Sequence, residues 1–271
     1  MEILLDFYVI LIGLVLGSFI ALAAVRLPQG KSIIKPRSHC PHCQHQLRSY
    51  ENIPVLSYFF LAGKCSQCKN PISLIYPLIE LFSAFVIFLT YLYVQPLPRF
   101  FLYACLFVTP MLILTITDWK YLILPNVITL PGILFAFILH ALDQVYFFQN
   151  SSLISAMSES LIGALAGAIP LFLIAYFYIR VRGKEGLGMG DVKLAAMIGA
   201  CFGWKEMYFI LLLASVSGAF YGVALMIVKK NRRDTPLPLG SFLALSSIVF
   251  LFWGDKMLEF YLGTFREFLL N

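Results

Sequence analysis

Charged residues are scarce in this sequence. They make up 13% of the 271 residues, only 14 residues are acidic, and 60% of the chain is hydrophobic. Soluble domains carry charge on about a quarter of their residues. The mean hydropathy of +0.85 describes more apolar surface than one soluble core could bury. The composition therefore excludes a soluble globular protein and indicates a membrane protein.

The sequence also lacks the alternation of polar and apolar residues that a membrane β-barrel needs, which leaves helices as the spanning form. Apolar windows of about 20 residues, the length that crosses a bilayer, recur throughout. We predict an all-α polytopic membrane protein with about eight transmembrane helices. The predicted spans are 3–25, 73–94, 101–117, 122–141, 160–179, 192–202, 208–228 and 237–253.

Two of these segments are unusual. Segment 192–202 is long enough for only about half a bilayer, and it can join the next span as a broken helix. Segment 257–270 carries Glu259, Arg266 and Glu267 on an otherwise apolar background, so we expect it to lie along the membrane interface.

The basic residues predict the orientation. Most Lys and Arg residues fall in the loops 26–69, 180–193 and 229–233, which lie on one side of the eight-span arrangement. By the positive-inside rule this side is cytoplasmic, so both termini lie outside. The first span begins with Glu2 and Asp6, which favours a retained helix over a cleaved signal peptide. The pI near 9.0 thus reports membrane topology, and we predict the bilayer and no nucleic acid as a partner.

Four of the six cysteines lie in the largest polar loop, in two pairs with Cys-x2-Cys spacing: Cys40 with Cys43, and Cys65 with Cys68. Two such pairs can place four thiolates around a structural zinc ion. Disulfides are the alternative, and the reducing cytoplasm disfavours them. The loop histidines could replace a thiolate, but we expect them to be solvated; they are His39, His42 and His45. We predict that Cys105 and Cys201 are small core residues of the spans.

The sequence thus predicts three regions. Residues 1–25 form the first transmembrane helix, residues 26–72 form a cytoplasmic zinc-binding loop, and residues 73–271 form a helical membrane domain.

Two aspartates stand at the cytoplasmic edges of apolar spans, where an ionisable group is costly and marks a functional site. Asp118 closes one span and is followed by Pro125, which cannot continue a helix. Asp191 follows Gly188 and Gly190, and glycine allows unusual backbone angles and the close approach of a peptide. We predict that both carboxylates border a water-accessible opening.

Two such carboxylates can hydrolyse a peptide bond through one water. The ionised carboxylate takes a proton from the water, and the protonated one polarises the carbonyl and later donates to the leaving amine. Like charges disfavour double ionisation, so the pair shares one proton. The structural alternative is that each aspartate caps a helix and pairs with Lys120 or Lys193, which we instead expect to reach the lipid headgroups.

These residues together resemble the type IV prepilin peptidase family of pilus, competence and type II secretion systems. The resemblance covers nearly the whole chain. It rests on Gly17-Ser18-Phe19, Arg26-Leu27-Pro28, Cys40-Pro41-His42-Cys43, Asn52-Ile53-Pro54, Cys65–Cys68, Tyr76-Pro77-Leu78-Ile79-Glu80, Asp118 with Leu124-Pro125-Asn126, and Gly188-Met189-Gly190-Asp191.

The resemblance implies an aspartyl peptidase of the Gly-x-Gly-Asp type in the inner membrane of a bacterium. Asp118 and Asp191 would be its catalytic pair, and its substrates would be prepilins or pseudopilins, cut at the cytoplasmic membrane face. It also implies methylation of the new N-terminus with S-adenosylmethionine, because the cysteine loop is associated with the methylating form.

Glu80 is a candidate contact for the new amine or the methyl donor, or an interhelix hydrogen-bonding residue. The competing functions are a peptidase with a merely structural zinc loop and a proton-coupled transporter. A transporter often has inverted repeats, and the sequence shows none.

Overall fold

The ordered elements of the protein are helices. The structure is a computed structural model that describes residues 2–149, 151–183, 186–228 and 237–270. Within these residues there is no β-strand, and the only β-type pairing is two isolated bridges. The prediction of an all-α membrane protein is confirmed. The chain divides into two compact units, Met1–Gln95 and Pro96–Asn271.

The first unit is a helix pair with a folded loop between its members. Two glycines four residues apart, Gly13 and Gly17, place one helix against the other, because a Cβ at either would lie 2.8 Å from a backbone Cα of Ala84 or Glu80. Small residues at this spacing allow membrane helices to approach closely. The helices of this unit are α1 (Glu2–Arg26), the short α2 (Leu56–Phe60) inside the loop, and α3 (Ile75–Tyr93).

The second unit is a bundle in which one short helix, α8, lies at the centre. Most of its side chains from Val192 to Cys201 are buried, and it packs against α6, α7, α9 and α10. The helices of this unit are α4 (Leu97–Tyr103), α5 (Thr109–Tyr121), α6 (Asn126–Leu142), α7 (Leu153–Arg182), α8 (Met189–Phe202), α9 (Trp204–Val228) and α10 (Leu239–Leu270).

The contact between α7 and α8 depends on small residues in both helices. A Cβ at Gly163 would collide with the carbonyl oxygen of Gly199, and a Cβ at Gly167 would collide with that of Ala195. Both pairs have a spacing of four residues, so one stripe of each helix meets the other backbone to backbone. This packing fixes the position of α8 and of the aspartate in its first turn.

Six helices in the described part of the chain are long and apolar enough to cross a membrane. They correspond to the predicted spans except 192–202 and 237–253, which fall on α8 and on the shorter apolar helix Leu239–Gly254. Helix α8 is separated from α9 by Gly203 alone, at φ +100°. The broken helix expected at this point is therefore present, and the count of eight crossings stays a prediction.

Two predicted boundaries are wrong. Helix α6 begins at Asn126 instead of residue 122, because Leu122 adopts a left-handed conformation and Pro125 opens the new helix. The interface segment predicted at 257–270 is the continuation of α10. Gly254 does not interrupt this helix, since one glycine costs only about 1 kcal/mol and no proline follows.

Other predictions fall partly on residues that the structure does not describe. Lys184 and the basic cluster at 229–233 lie outside the described residues. Cys201 is buried as expected, but Cys105 is exposed on the surface of its helix. A thiol on the apolar outer surface of a membrane bundle is compatible with lipid contact, so burial in a core is not needed there.

Candidate thiolate site and aspartate pair

The two cysteine pairs of the first unit have the same local structure. In the first, the Cys40 N–H donates to the His45 carbonyl at 2.9 Å, and in the second the Cys65 N–H donates to the Asn70 carbonyl at 2.9 Å. The residue after each second cysteine, Gln44 or Lys69, has a left-handed backbone with φ of 59° or 58°. The loop is therefore built from two equivalent knuckles.

These knuckles bring four thiols together. All four Sγ atoms lie within 4.8 Å of one another. Two of the separations are 3.8 Å, from Cys40 to Cys68, and 3.9 Å, from Cys43 to Cys65. A tetrahedral zinc ion with Zn–S bonds of about 2.3 Å requires sulfur atoms about 3.8 Å apart. The geometry fits zinc and is far too wide for a disulfide bond.

The backbone also favours thiolate formation. The N–H groups of Cys68 and Gln67 point at the Cys65 sulfur and lower the pKa of its thiol to about 6. The Cys43 thiol behaves in the opposite way: a backbone hydrogen bond from His45 works to lower its pKa, but desolvation and the neighbouring thiols raise it to about 11. Four adjacent thiolates repel one another, so a cation is needed to hold all of them in the charged form.

Glu51 connects several segments of the loop through its side-chain contacts, a role that the sequence did not indicate. Its buried carboxylate accepts a hydrogen bond from the Arg48 N–H at 2.7 Å and lies 3.4 Å from the His45 ring. The Ser66 hydroxyl, the Arg48 N–H and His45 hold the pKa of the Glu51 carboxyl below its usual range. His45 thus contacts Glu51, and the four cysteines are the cluster among the described residues that could hold a metal ion.

Glu80 lies in α3 and is buried. Its Oε2 accepts a hydrogen bond of 2.7 Å from the backbone N–H of Val55, which has the unusual φ of +61°. A β-branched residue strongly disfavours this conformation. The contact gives Glu80 a structural partner in the loop, which corresponds to the hydrogen-bonding role left open by the sequence.

In the second unit, Asp118 lies in the last turn of α5. The Leu122 N–H bonds to the Asp118 carbonyl at 2.9 Å, and Leu122 ends the helix. The chain then crosses to Pro125, which is the N-cap residue of α6, so the helix is broken at this proline. The Asp118 side chain is buried, with 5% of the residue's surface exposed.

Asp191 is the third residue of α8, after Gly188 at the cap position. The N-cap position predicted for Asp191 in the structural alternative is therefore wrong by one turn. Gly188 has an ordinary extended backbone. Gly190 provides space, because a Cβ there would lie 2.9 Å from the Leu124 Cβ. The neighbouring group at Gly190 is thus the Leu124 side chain, and the close approach of a peptide stays a prediction.

A third segment, at the start of α10, completes the site. A Cβ built on Gly240 would lie 3.0 Å from the Asp191 Oδ1 and 3.1 Å from the Asp118 Oδ2. The two carboxylates therefore face each other across one position. The next residue, Ser241, donates its backbone N–H to the Asp118 Oδ2 at 2.6 Å and its hydroxyl to the same oxygen at 2.9 Å. Sequence reasoning missed both residues, and only the Leu-Pro-Leu-Gly-Ser turn pattern could have indicated them.

Neither aspartate forms the lysine pair of the structural alternative within the described residues. Lys193 donates to the Asn126 side chain at 2.7 Å, and Lys120 lies over the Tyr121 ring at 5.2 Å. Two carboxylates this close, without a cation between them, disfavour double ionisation. Such a pair can activate a water and protonate a leaving group.

Comparison with known proteins agrees with this arrangement. The sequence profile of the bacterial peptidase A24 N-terminal domain matches residues 11–94, and that of the type IV leader peptidase family matches residues 105–223. The prepilin leader peptidase/N-methyltransferase of Aeromonas hydrophila is 35% identical over 235 residues, which cover 86% of this chain and 77% of the relative. The chain belongs to the type IV leader peptidase family.

Longer matches lead to the same family. The prepilin leader peptidase/N-methyltransferases of Stutzerimonas stutzeri and Pseudomonas aeruginosa are each 33% identical, over 281 and 279 residues, with 93% of this chain and 92% of the relative covered in both cases. No solved structure matches the chain.

The family profiles divide between the two candidate sites. The N-terminal match contains the four cysteines and Glu80, and the leader peptidase match contains Asp118 and Asp191. Gly240 and Ser241 lie beyond the leader peptidase match, so their place beside the pair is known from the structure alone.

Proposed function

We propose that this protein is a membrane aspartyl peptidase that removes the leader of type IV prepilins or pseudopilins and methylates the new N-terminus with S-adenosylmethionine. The observation that carries the proposal is the meeting of Asp118 and Asp191 beside Gly240, in a chain of the leader peptidase family. Asp118 is buried, Asp191 is half-buried with its Oδ1 enclosed, and neither has a basic partner among the described residues.

The site supports cleavage of a peptide in an extended form. Asp118 and Asp191 are the proposed catalytic pair, and Pro125, Gly188 and Gly190 are the proposed residues that shape the opening. Glycine and a helix break keep side chains away from the carboxylates, so a peptide backbone can approach. One carboxylate takes the proton of the attacking water and the other protonates the amine that leaves.

The cysteine loop is proposed as a structural zinc site for residues 26–72, formed by Cys40, Cys43, Cys65 and Cys68. Zinc bound there would neutralise the thiolates and hold the two knuckles together. The relatives' name supports a methyltransferase activity. S-adenosylmethionine would be the second substrate, and Glu80 is a candidate contact for it or for the new amine.

The orientation is proposed from the helix ends. Asp118 stands at the end of α5, whereas Asp191 and Ser241 stand at the starts of α8 and α10. These ends meet at one side, as alternating crossings would place them. In the predicted eight-span arrangement the basic loops lie on the same side as these helix ends, and basic loops face the cytoplasm. This favours a position of the aspartate pair at the cytoplasmic side of the bacterial inner membrane, with both termini of the chain outside.

The test is cleavage and methylation of a purified prepilin in detergent or membranes. Asp118→Asn and Asp191→Asn should each abolish leader removal while the protein keeps its thermal stability. Methylation of an already cleaved pilin should survive in both variants, since methyl transfer needs neither carboxylate. Normal leader removal by either variant would refute the proposed catalytic pair.

A matched control is Asp143→Asn, which changes another buried aspartate of the same unit. Its carboxylate is bound by Arg99 at 2.8 Å, far along the chain from the pair. The folded fraction of this variant should still cleave. Labelled S-adenosylmethionine separates the bifunctional enzyme from a peptidase with a merely structural loop, because cleaved but unlabelled pilin would exclude methylation.

A further inference from the structure

The start of α10 donates two short hydrogen bonds to one of the two aspartates, Asp118. The Asp118 Oδ2 accepts the Ser241 N–H at 2.6 Å and the Ser241 hydroxyl at 2.9 Å, and Ser241 is fully buried. The hydroxyl also lies 3.0 Å from the Thr115 carbonyl oxygen. Its single proton can serve one acceptor at a time, and a charged acceptor is favoured over a neutral one.

In this contact, a side chain from another helix, α5, caps the N-terminus of α10. The first N–H groups of any helix have no partner within the helix. Ser241 is the third residue of α10, and the carboxylate that receives its N–H comes from 123 positions earlier in the chain. A negative charge at a helix N-terminus is stabilised by these donors and by the helix dipole. Asp118 therefore has an environment suited to its ionised form.

Asp191 has a different environment. The amides of Gly188 and Gly240 approach its carboxylate, but its buried Oδ1 has no hydrogen-bond partner among the described residues. A buried carboxylate oxygen without a donor is costly as an anion, and protonation removes that cost. The proton that the pair shares is therefore better placed on Asp191.

We propose that Ser241 is a positioning residue that holds Asp118 in the ionised form, so that Asp191 carries the shared proton in the resting enzyme. This inference rests on the proposed peptidase function. Asp118 then accepts a proton from water as the water oxygen bonds to the carbonyl carbon, and Asp191 hydrogen-bonds the resulting oxyanion. As the C–N bond breaks, Asp191 gives its proton to the amine nitrogen, and the proton on Asp118 passes to Asp191 to restore the resting state.

Other charged groups do not explain the asymmetry. Between Leu239 and Gly254, α10 carries no ionisable side chain. Lys120 and Lys193, on the helices of the pair, are directed to Tyr121 and Asn126. The Tyr221 ring of α9 lies 5.0 Å from Trp119 and 5.6 Å from Phe242, the neighbours of Asp118 and Ser241 in the chain. No ion pair among the described residues includes Asp118 or Asp191. The other charged or titratable side chains described on the surrounding helices are His140 on α6, Glu159, Tyr176, Tyr178, Arg180 and Arg182 on α7, Lys205, Glu206 and Tyr208 on α9, and Lys256, Glu259 and Tyr261 on α10.

The pH dependence of leader cleavage tests the assignment. A pair that works with one proton gives a bell-shaped profile. Its acid limb reports the ionisation of the first carboxylate, and its alkaline limb reports the loss of the proton from the second. In Ser241→Ala the hydroxyl donor is lost, so the acid limb should move to higher pH by about one unit, the shift expected for one hydrogen bond to a charged group. The alkaline limb should stay in place.

The reverse result would overturn the assignment. If Asp191 were the ionised member, Ser241→Ala would leave the acid limb unchanged and move the alkaline limb. A profile with neither limb moved would remove Ser241 from the mechanism.

Two variants control for structural effects. Ser241→Thr keeps the hydroxyl and should restore the wild-type profile. Ser247→Ala removes another buried hydroxyl of α10, which bonds to the Ala244 carbonyl at 2.7 Å, and should leave both limbs unchanged. Leader cleavage by Asp118→Asn would refute the proposed peptidase function. If Asp118→Asn is inactive but the pH profile of Ser241→Ala is unshifted, only the present inference is refuted.

Discussion

Gly240 is the residue whose enlargement should damage the site most selectively. A Cβ built on Gly240 would lie 2.8 Å from the Leu124 Cδ1, 3.0 Å from the Asp191 Oδ1 and 3.1 Å from the Asp118 Oδ2. Ordinary contacts of a Cβ begin at 3.4 Å. In Gly240→Ala the new methyl group must therefore displace Leu124 and the two carboxylates, or move α10.

The size of the effect follows from these distances. The shortfall corresponds to a displacement of roughly half an ångström, and a misplacement of about 1 Å costs about a hundredfold in rate. We expect cleavage by Gly240→Ala to fall about tenfold, equal to about 1.4 kcal/mol in the activation free energy. The larger Gly240→Val should lower it about a hundredfold. Alanine has a higher helix propensity than glycine, so the thermal stability of Gly240→Ala should not fall along with its cleavage rate.

The assay is the initial rate of prepilin cleavage, measured together with thermal unfolding in the same detergent. Gly218→Ala on α9 is the matched control, since the three atoms nearest to a Cβ there belong to the Phe242 ring, at ordinary distances of 3.4–3.8 Å. It should cleave normally. Wild-type rates for Gly240→Val would show that the pair does not work at this position.

Three further predictions concern other parts of the chain. Asp143→Asn should lower the free energy of unfolding by about 3–5 kcal/mol, because it leaves the largely enclosed Arg99 side chain without its charge partner, and thermal unfolding will measure this. Metal analysis should find one zinc per chain, lost in Cys65→Ser and kept in Cys105→Ser. The pKa of Glu51 is lowered on folding, so its stabilising effect is present above the unfolded pKa and is lost as pH falls through the folded one. The difference in loop stability between wild type and Glu51→Gln should therefore be largest near neutral pH and vanish in acid.

The sequence predicted the features that depend on one stretch of chain. The membrane class followed from composition, the four-thiolate cluster from the two Cys-x2-Cys spacings, and the break before Pro125 from the chemistry of proline. The two aspartates were selected because a carboxylate at membrane depth is costly. These arguments need no knowledge of which helices are neighbours.

Contacts between distant segments could not be predicted in the same way. Ser241 lies 123 residues from Asp118, and its local sequence offers only a turn pattern, which does not say what the serine contacts. Gly190 was expected to supply unusual backbone angles, but its role is to make room for Leu124. The Glu51 contact with Arg48 lies within one turn, but its importance depends on the fold of both knuckles.

The same carboxylate of Asp118 can cap a helix and act in catalysis, although these roles were considered as alternatives from the sequence. A helix that starts at membrane depth has free N–H groups that lipid cannot satisfy, and a carboxylate at that depth needs donors. The contact of Asp118 with Ser241 meets both needs, and the same donors favour the ionised form that can take a proton from water. In Asp118→Asn the amide oxygen can still accept these hydrogen bonds, but an amide cannot serve as the base. The isosteric variant should therefore keep the start of α10 in place and lose cleavage, whereas Asp118→Ala should lose cleavage and also lower the free energy of unfolding.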